Sequence, residues 1–218
     1  MLIPFEPKMY MSQIDHRIHE ETKMDQRKIM QSIRFGLSEQ LERKLSPRFG
    51  VVNLMRDTVR NKKDIEAIYK NISYRYVPVP DQNKYKAPVD PVQKSGIKNG
   101  QLAVESDPIK KYIDTKVINP RLIPDNYAKF KTNVFVFINQ IDILPSLPSP
   151  GDMYAPSTRS ITVHYTVYTV DAKEINSGIS EIKFPNTVNS PTKISADYLS
   201  KIAEEIALRI EKAMGEKK

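Results

Sequence analysis

The chain has 218 residues, of which 39% are hydrophobic, and this is enough for a single α/β domain with insertions. It contains no cysteine, which excludes disulfides, thiolate metal sites and cysteine nucleophiles, and no apolar run approaches the roughly 20 residues of a membrane-spanning helix. The formal net charge is +8, and residues 51–100 contribute ten basic against five acidic side chains. This excess indicates either a well-solvated loop or a contact surface for an acidic or anionic partner.

The chain begins with an apolar stretch, residues 2–7 (LIPFEP), that is predicted to form a short β-strand. Pro4 and Pro7 cannot donate to a ladder, so part of this strand must have an unpaired side. Because the strand starts with nothing ahead of it, we expect the native chain to be longer at this end, with a leader or a lipid anchor ahead of Leu2. Residues 8–21 are polar and are interpreted as a loop with at most one helical turn.

A long amphipathic helix is predicted from an N-cap at Thr22, with Asp25 in the manner of a capping box, to about Leu45. Its single apolar stripe indicates that one face packs on a sheet. Residues 49–54 (FGVVNL) are the predicted second strand. Since a helix links the two strands, we expect them to be parallel.

A second, shorter helix is predicted over residues 62–72 with Asn61 as its cap. Residues 73–130, broken by seven prolines, are predicted to be a long insertion with a helical turn near 108–113. Tyrosines alternate here with basic residues, so the insertion is a candidate contact surface for an acidic protein, an anionic glycan, an anionic lipid or a nucleic acid. The candidate contact residues are Tyr74, Arg75, Tyr76, Lys84, Tyr85 and Lys86.

Three strands and a helix are predicted for the rest of the chain. A β-branched and aromatic run predicts a buried strand over 133–144, and a proline-rich loop follows it. Strict alternation over 159–170 predicts a strand that places Ile161, Val163, Tyr165 and Val167 on one face. An antiparallel strand over 178–184 and a helix capped by Ser195 complete the chain.

The predicted fold class is therefore α/β (mixed), with the element order β-α-β-α-β-β-β-α. One mixed sheet has a parallel first half and an antiparallel meander, with helices packed on it. The whole of residues 1–218 is expected to be one domain, with the insertion at about 73–130 inside it.

Candidate chemistry is sparse. His16, His19 and Glu20 could share one helical face and hold a divalent metal, although their order is not that of a zinc peptidase. His164 and Asp142 attract attention as a strand histidine and a strand-end acid, and both are interpreted as structural. The chain has no glycine-rich phosphate loop and no nucleophile elbow, so we assign no catalytic residue and no cofactor.

The order of elements is similar to a known group. The segment Ile3-Pro4-Phe5, a helix ending in Leu41 and Leu45, the stretch 48–52 (RFGVV), an alternating strand and a C-terminal helix resemble the periplasmic α/β domain of the TolB N-terminal, CsgG and LpoB-type proteins. The first residues, 3–12 (IPFEPKMYMS), also resemble uncharacterised Bacteroidetes envelope lipoproteins. The likeness covers about 1–72 and 130–214, and it transfers no functional residue.

The resemblance implies a non-enzymatic accessory or assembly protein of the periplasm or outer membrane that acts through protein–protein contacts and could form oligomers. Two alternatives remain open. One is a metal-dependent enzyme that uses His16, His19 and Glu20, and the other is a basic nucleic-acid-binding protein. The sequence is also compatible with a cytoplasmic location.

Overall fold

The computed structural model describes residues 1–80, 110–145 and 158–215, together with the backbone of residues 96–98 and 101–103. The strands are β1 Leu2–Ile3, β2 Tyr10–Ser12, β3 Ile72–Pro78, β4 Gly96–Lys98, β5 Gln101–Ala103, β6 Lys111–Val117, β7 Val134–Pro145, β8 Thr158–Thr169 and β9 Glu174–Pro185. The helices are α1 Asp15–Thr22, α2 Gln26–Leu45, α3 Lys62–Lys70, α4 Leu122–Phe130, α5 Pro191–Ile194 and α6 Ser200–Gly215.

The main sheet is mixed, and its strand order is β1-β7-β8-β9. Both β1 and β2 run parallel to β7, whereas β7, β8 and β9 form an antiparallel meander. The prediction of a mixed α/β fold with a parallel first part and a meander is confirmed. A second sheet pairs β3 with β6, and β4 pairs with β5 in a small hairpin.

The first predicted strand is interrupted. Only β1 pairs at first; the chain then leaves the ladder at Pro4, makes a 3₁₀ turn over Pro7–Met9 and returns as β2 beside the same strand, β7. The prediction of one strand over 2–7 was therefore wrong in extent. The reason is that neither proline has an N–H to donate.

Residues 49–54 do not form a second strand. A single parallel bridge joins Leu2 to Asn53, and the Leu2 N–H donates to Val52 O at 2.8 Å. The Asn53 amide then turns the chain, because its Oδ1 accepts from Met55 N at 2.9 Å and its Nδ2 donates to Glu42 at 2.9 Å. The parallel direction of this segment relative to the first strand was predicted correctly, but the length of the pairing was not.

The start of the long helix also differs from the prediction. Thr22 is the last residue of α1, where its hydroxyl donates to Ile18 O at 2.7 Å, so residues predicted as loop are helical. Lys23 turns the chain in the left-handed region with φ 60°. Asp25 caps α2 by accepting from Lys28 N at 2.8 Å, and α2 ends at Leu45 as predicted.

Of the two other predicted caps, Asn61 is confirmed in its position and Ser195 is wrong. Asn61 is the N-cap residue of α3, and its C=O accepts from Ile65 N at 2.9 Å, but its side chain donates to Leu54 O at 3.1 Å instead of accepting from the helix. Ser195 lies inside the last helix, where a π-helical turn over Ser195–Leu199 joins α5 to α6. Ser190 is the cap, since its side chain accepts from the backbone of Lys193.

The predicted insertion contains regular structure. β3 and β6 pair over seven residues each, and α4 follows them. The segment predicted to be a helical turn near 108–113 enters strand β6 at Lys111, so that prediction was wrong for its described part. No helix within the described part of the chain is long and apolar enough to cross a membrane.

The main sheet is buried on both faces. One face packs on α2 and α6, and the alternating residues of β8 point into this core as predicted. The second face carries a smaller core of α3, α4, Phe135, Phe137 and Tyr168. A bulge at Asn139 in β7 shifts the alternation, so that Ile138 and Ile141 both face the helices.

Candidate functional site

The second face of the sheet changes from apolar to polar along β7 and β8. Beyond Phe135 and Phe137 it presents a row of buried or half-buried polar side chains, which we call the polar stripe and which consists of Asn139, Asp142, His164 and Thr166. The bulge places Asn139 here with no exposed surface. Such groups require partners, because an unpaired polar group in the interior is costly.

The partners come from β6. Ile113 N donates to His164 Nδ1 at 2.9 Å, and Thr115 N donates to Thr166 Oγ1 at 3.2 Å. In return, Asn139 Nδ2 donates to Ile113 O at 2.8 Å, and the Tyr168 hydroxyl donates to Thr115 O at 2.8 Å. Side chains of the main sheet thus satisfy one edge of β6, where a neighbouring strand would ordinarily do so.

The pair of β3 and β6, which we call the ribbon, is therefore bound to the main sheet by one edge. Its other edge belongs to β3. In the sequence, nothing links residues 72–78 with 111–117, because 32 residues separate them and the contact with the polar stripe is non-local.

His164 and Asp142, which were interpreted as structural, are in direct contact. His164 Nε2 lies 2.8 Å from Asp142 Oδ2, and the other ring nitrogen accepts from a backbone N–H. An imidazole with one accepting nitrogen carries its proton on the other, so Nε2–H donates to the carboxylate. Both nitrogens are occupied, and the ring has no lone pair left with which to act as a general base.

A second carboxylate, Asp114 of β6, is buried with 1% of its side chain exposed. Arg75 of β3 donates to its Oδ2 through Nε at 2.8 Å and Nη2 at 2.7 Å. Thr166 donates to its Oδ1 at 2.7 Å. The charge of Asp114 is thus matched by a guanidinium that spans the two strands of the ribbon, and half of the Arg75 side chain remains exposed.

Glu174 of β9 lies near this ion pair. Burial raises its pKa above the ordinary value of 4.5, and the negative charge of Asp114 acts in the same direction, while the Ser177 hydroxyl and Arg75 oppose both. Ser177 Oγ donates to Glu174 at 2.6 Å and accepts from the Tyr112 hydroxyl at 2.7 Å. This series of hydrogen bonds connects the end of the ribbon to β9.

Three of the predicted contact residues lie on β3. Tyr74 is half-buried, with Lys8 Nζ 6.0 Å from the centre of its ring, and burial raises the pKa of its hydroxyl. Arg75 is half exposed, and Tyr76 is 71% exposed. The other three, Lys84, Tyr85 and Lys86, lie outside the described residues.

The predicted metal ligands occupy α1. His16, His19 and Glu20 are exposed around a shallow depression, and His19 Nδ1 donates to Met24 O at 2.8 Å. Within the residues that the structure describes, no three His, Cys, Asp or Glu side chains are arranged to hold a metal ion. The hypothesis of a metal-dependent enzyme gains no geometric support from them.

A cavity of about 370 Å³ opens at another place, between the ends of α2 and α6 and the start of β7. Thr132 lies in its wall, and the Thr132 hydroxyl is buried without a partner among the described residues. The cavity shares no residue with the polar stripe. Its lining comes from separate stretches of the chain, so no local sequence pattern indicates this cavity.

Sequence reasoning missed Asp114, Thr166 and Asn139. Asp114 stands in a stretch that was predicted to be irregular. Asn139 did carry a signal, since Asn139 and Gln140 are two successive polar residues that break the alternation of β7. A bulge has this effect, because its extra residue shifts the alternation.

No protein-family model matches this sequence, and no curated protein matches it as a relative. The resemblance to the TolB N-terminal, CsgG and LpoB-type domains therefore stays a prediction. The structure itself defines a mixed α/β protein whose meander supports a two-stranded ribbon through buried polar contacts.

Proposed function

We propose that this chain is a non-enzymatic accessory or assembly protein of the periplasm or outer membrane, acting through protein–protein contacts at the ribbon. The observation that carries the proposal is the position of β3, a regular seven-residue strand at the border of its sheet with Arg75 and Tyr76 exposed. Aromatic and arginine side chains are the residue types most enriched at binding hot spots. The envelope location rests on the resemblance alone.

The internal bonding of the polar groups supports a binding role over a catalytic one. His164 has both ring nitrogens engaged, and Asp114 has both oxygens engaged. Groups bound in this way hold the ribbon in place and offer no reactive atom. A rigid scaffold that presents an exposed strand is a common arrangement for recognition.

The proposal is tested by site-specific photo-crosslinking in the native cell. A photoreactive amino acid replaces Tyr76 in one variant and Leu208 in a control, since Leu208 is 57% exposed on α6, which packs on the opposite face of the sheet. We expect discrete protein adducts from position 76 and none of the same size from position 208. Adducts absent at 76, or identical at both positions, would overturn the proposal. Cell fractionation of the same strains tests the envelope location.

A further inference from the structure

We propose that the outer edge of β3 binds an extended, acidic segment of a protein partner as an additional strand. The inference rests on the proposed function and names the chemistry of the partner. It is carried by the backbone of β3, by the charges of the ribbon and by the alternation of its side chains.

The backbone geometry follows from the pairing of the ribbon. Thr115 stands opposite Tyr74, and Ile113 stands opposite Tyr76. The N–H groups of Thr115 and Ile113 point away from β3, because they donate to side chains of β8. In an antiparallel pair, two opposite residues either bond to each other or both turn outward, so Tyr74 and Tyr76 also turn outward.

The outer edge of β3 therefore presents the N–H and C=O groups of Tyr74 and Tyr76. No described residue donates to them or accepts from them. An edge of this kind is a template for another strand unless the protein covers it. Pro78 ends the available ladder, so the edge offers a short site and not an open-ended one.

The charges of the ribbon select an acidic occupant. Lys70 at the end of α3 and Lys111 and Lys116 of β6 are exposed and form no ion pair with a described residue. The only acid between residues 70–78 or 111–117 is Asp114, which is buried and matched by Arg75. A second copy of this ribbon would bring like charges together, which disfavours self-pairing.

The alternation of side chains along β3 predicts the sequence pattern of the added strand. Ser73 and Arg75 share one face of the ribbon with Lys116, which stands opposite Ser73. Arg75 Nη1 has no described partner and can donate to a further carboxylate. Tyr74 and Tyr76 lie on the other face. An added strand would place acidic residues beside Arg75 and apolar residues beside the tyrosines.

The test uses labelled full-length protein and three ten-residue peptides that alternate Val with Glu, with Lys or with Thr. In NMR titrations we expect the Glu peptide to shift and protect the amides of Tyr74 and Tyr76. Its affinity should exceed that of the Lys peptide at least tenfold and fall with added salt. Equal binding of the Glu and Lys peptides, binding by neither, or shifts confined to other residues would overturn the proposal.

Three variants separate the contribution of the β3 backbone to peptide binding from that of the charges. Tyr76→Pro removes the outward N–H of β3 and should lower the affinity for the Glu peptide at least tenfold. Tyr76→Val keeps this N–H and should retain most of the affinity. Circular dichroism and thermal unfolding show whether each variant is folded. The double variant Lys70→Glu and Lys116→Glu should reverse the preference toward the Lys peptide. Equal loss in Tyr76→Val and Tyr76→Pro, with both folded, would overturn strand addition.

Other occupants are outcomes of the same experiment. A ten-nucleotide oligothymidine that displaces the Glu peptide at lower concentration, or a dimer formed through β3, would overturn the acidic-peptide proposal. A specific crosslink at position 76 without peptide binding would overturn strand addition and leave the proposed function intact. Absence of that crosslink would overturn the proposed function itself, whatever the peptides do.

Discussion

At the scale of single residues, His164 shows how a group with catalytic potential can be used for structure. Its two ring nitrogens join three elements, because Nδ1 accepts from Ile113 of β6 and Nε2 donates to Asp142 of β7. The interpretation of His164 as a structural residue agrees with this bonding. Its contact with Asp142 could not be predicted from the sequence, in which the two residues are 22 positions apart.

Replacing His164 by alanine should destabilise the protein. The Ile113 N–H and the Asp142 carboxylate would each lose a partner in a region with little access to water, and we expect the free energy of unfolding to fall by about 2–4 kcal/mol. Urea denaturation measures the change. The control is His16→Ala on the exposed side of α1, with an expected change within about 0.5 kcal/mol. Equal effects of the two variants would contradict the prediction.

Glu174 gives a prediction with a defined pH dependence. Its pKa is raised in the folded protein, chiefly by burial, so the folded state binds this proton more tightly than the unfolded state does. The stabilising contribution of the group is therefore fully present below its ordinary pKa of 4.5 and is lost as pH rises through the folded pKa.

The variant Glu174→Gln removes that titration and keeps an oxygen for the Ser177 hydroxyl. We expect its stability relative to the wild type to increase between pH 4 and pH 8, with the variant the more stable protein at pH 8. Urea denaturation at both pH values provides the measurement. Glu66→Gln on the exposed face of α3 controls for the loss of one negative charge. A relative stability that decreases with pH would refute the sign of the shift.

At the scale of elements, the contact between α2 and the last helix depends on one glycine. A Cβ atom at Gly36 would overlap the side chain of Ser195, which lies in the π-helical turn. Periodicity predicted both helices, because each has a regular apolar stripe. It could not predict this close approach, which depends on how the two helices lie on the sheet.

Gly36→Ala should therefore destabilise the protein although alanine favours helix formation. We expect a loss of about 1–3 kcal/mol, because the overpacked side chain must displace the facing turn. The matched control is Gly50→Ala, where the added Cβ meets no atom within 4 Å. Thermal unfolding measures the stability of the two variants. A Gly36→Ala protein as stable as the wild type would contradict the prediction and show that the two helices can separate at little cost in free energy.

At the scale of the whole molecule, the polar stripe joins the meander to the ribbon. Two cores lie on opposite faces of the main sheet, and the ribbon adds to the second one. Buried polar networks of this kind fix one arrangement, because each donor has one acceptor in the right place. The ribbon should therefore remain docked as a unit, with an outer edge that pairs with no other strand in the described part of the chain.

Arg75→Ala tests this docking. Asp114 would keep its buried charge without the guanidinium, and we expect a loss of about 2–4 kcal/mol, together with faster amide exchange throughout the ribbon. The double variant Arg75→Ala and Asp114→Asn should recover part of the loss, since the uncompensated charge is removed while Thr166 keeps its acceptor. Arg60→Ala, an exposed residue of the loop before α3, serves as the control. No recovery in the double variant would contradict the electrostatic explanation.

The sequence by itself determined the class of the fold, the C-terminal end of α2 at Leu45, the three strands of the meander and the core face of β8. These features are local, because an apolar stripe of helical period or a strict alternation is complete within one segment. It also placed Tyr74, Arg75 and Tyr76 among the contact candidates, from charge and aromatic content alone.

Only the tertiary structure decided the rest. The interruption of the first strand, the single bridge at Asn53 and the pairing of β3 with β6 depend on partners that are distant in sequence. The same is true of the polar stripe, whose alternating polar residues would face water in an ordinary amphipathic strand and are buried here because β6 covers them. Which edge of the ribbon is bound to the main sheet, and which edge pairs with no described residue, follows from that one non-local contact.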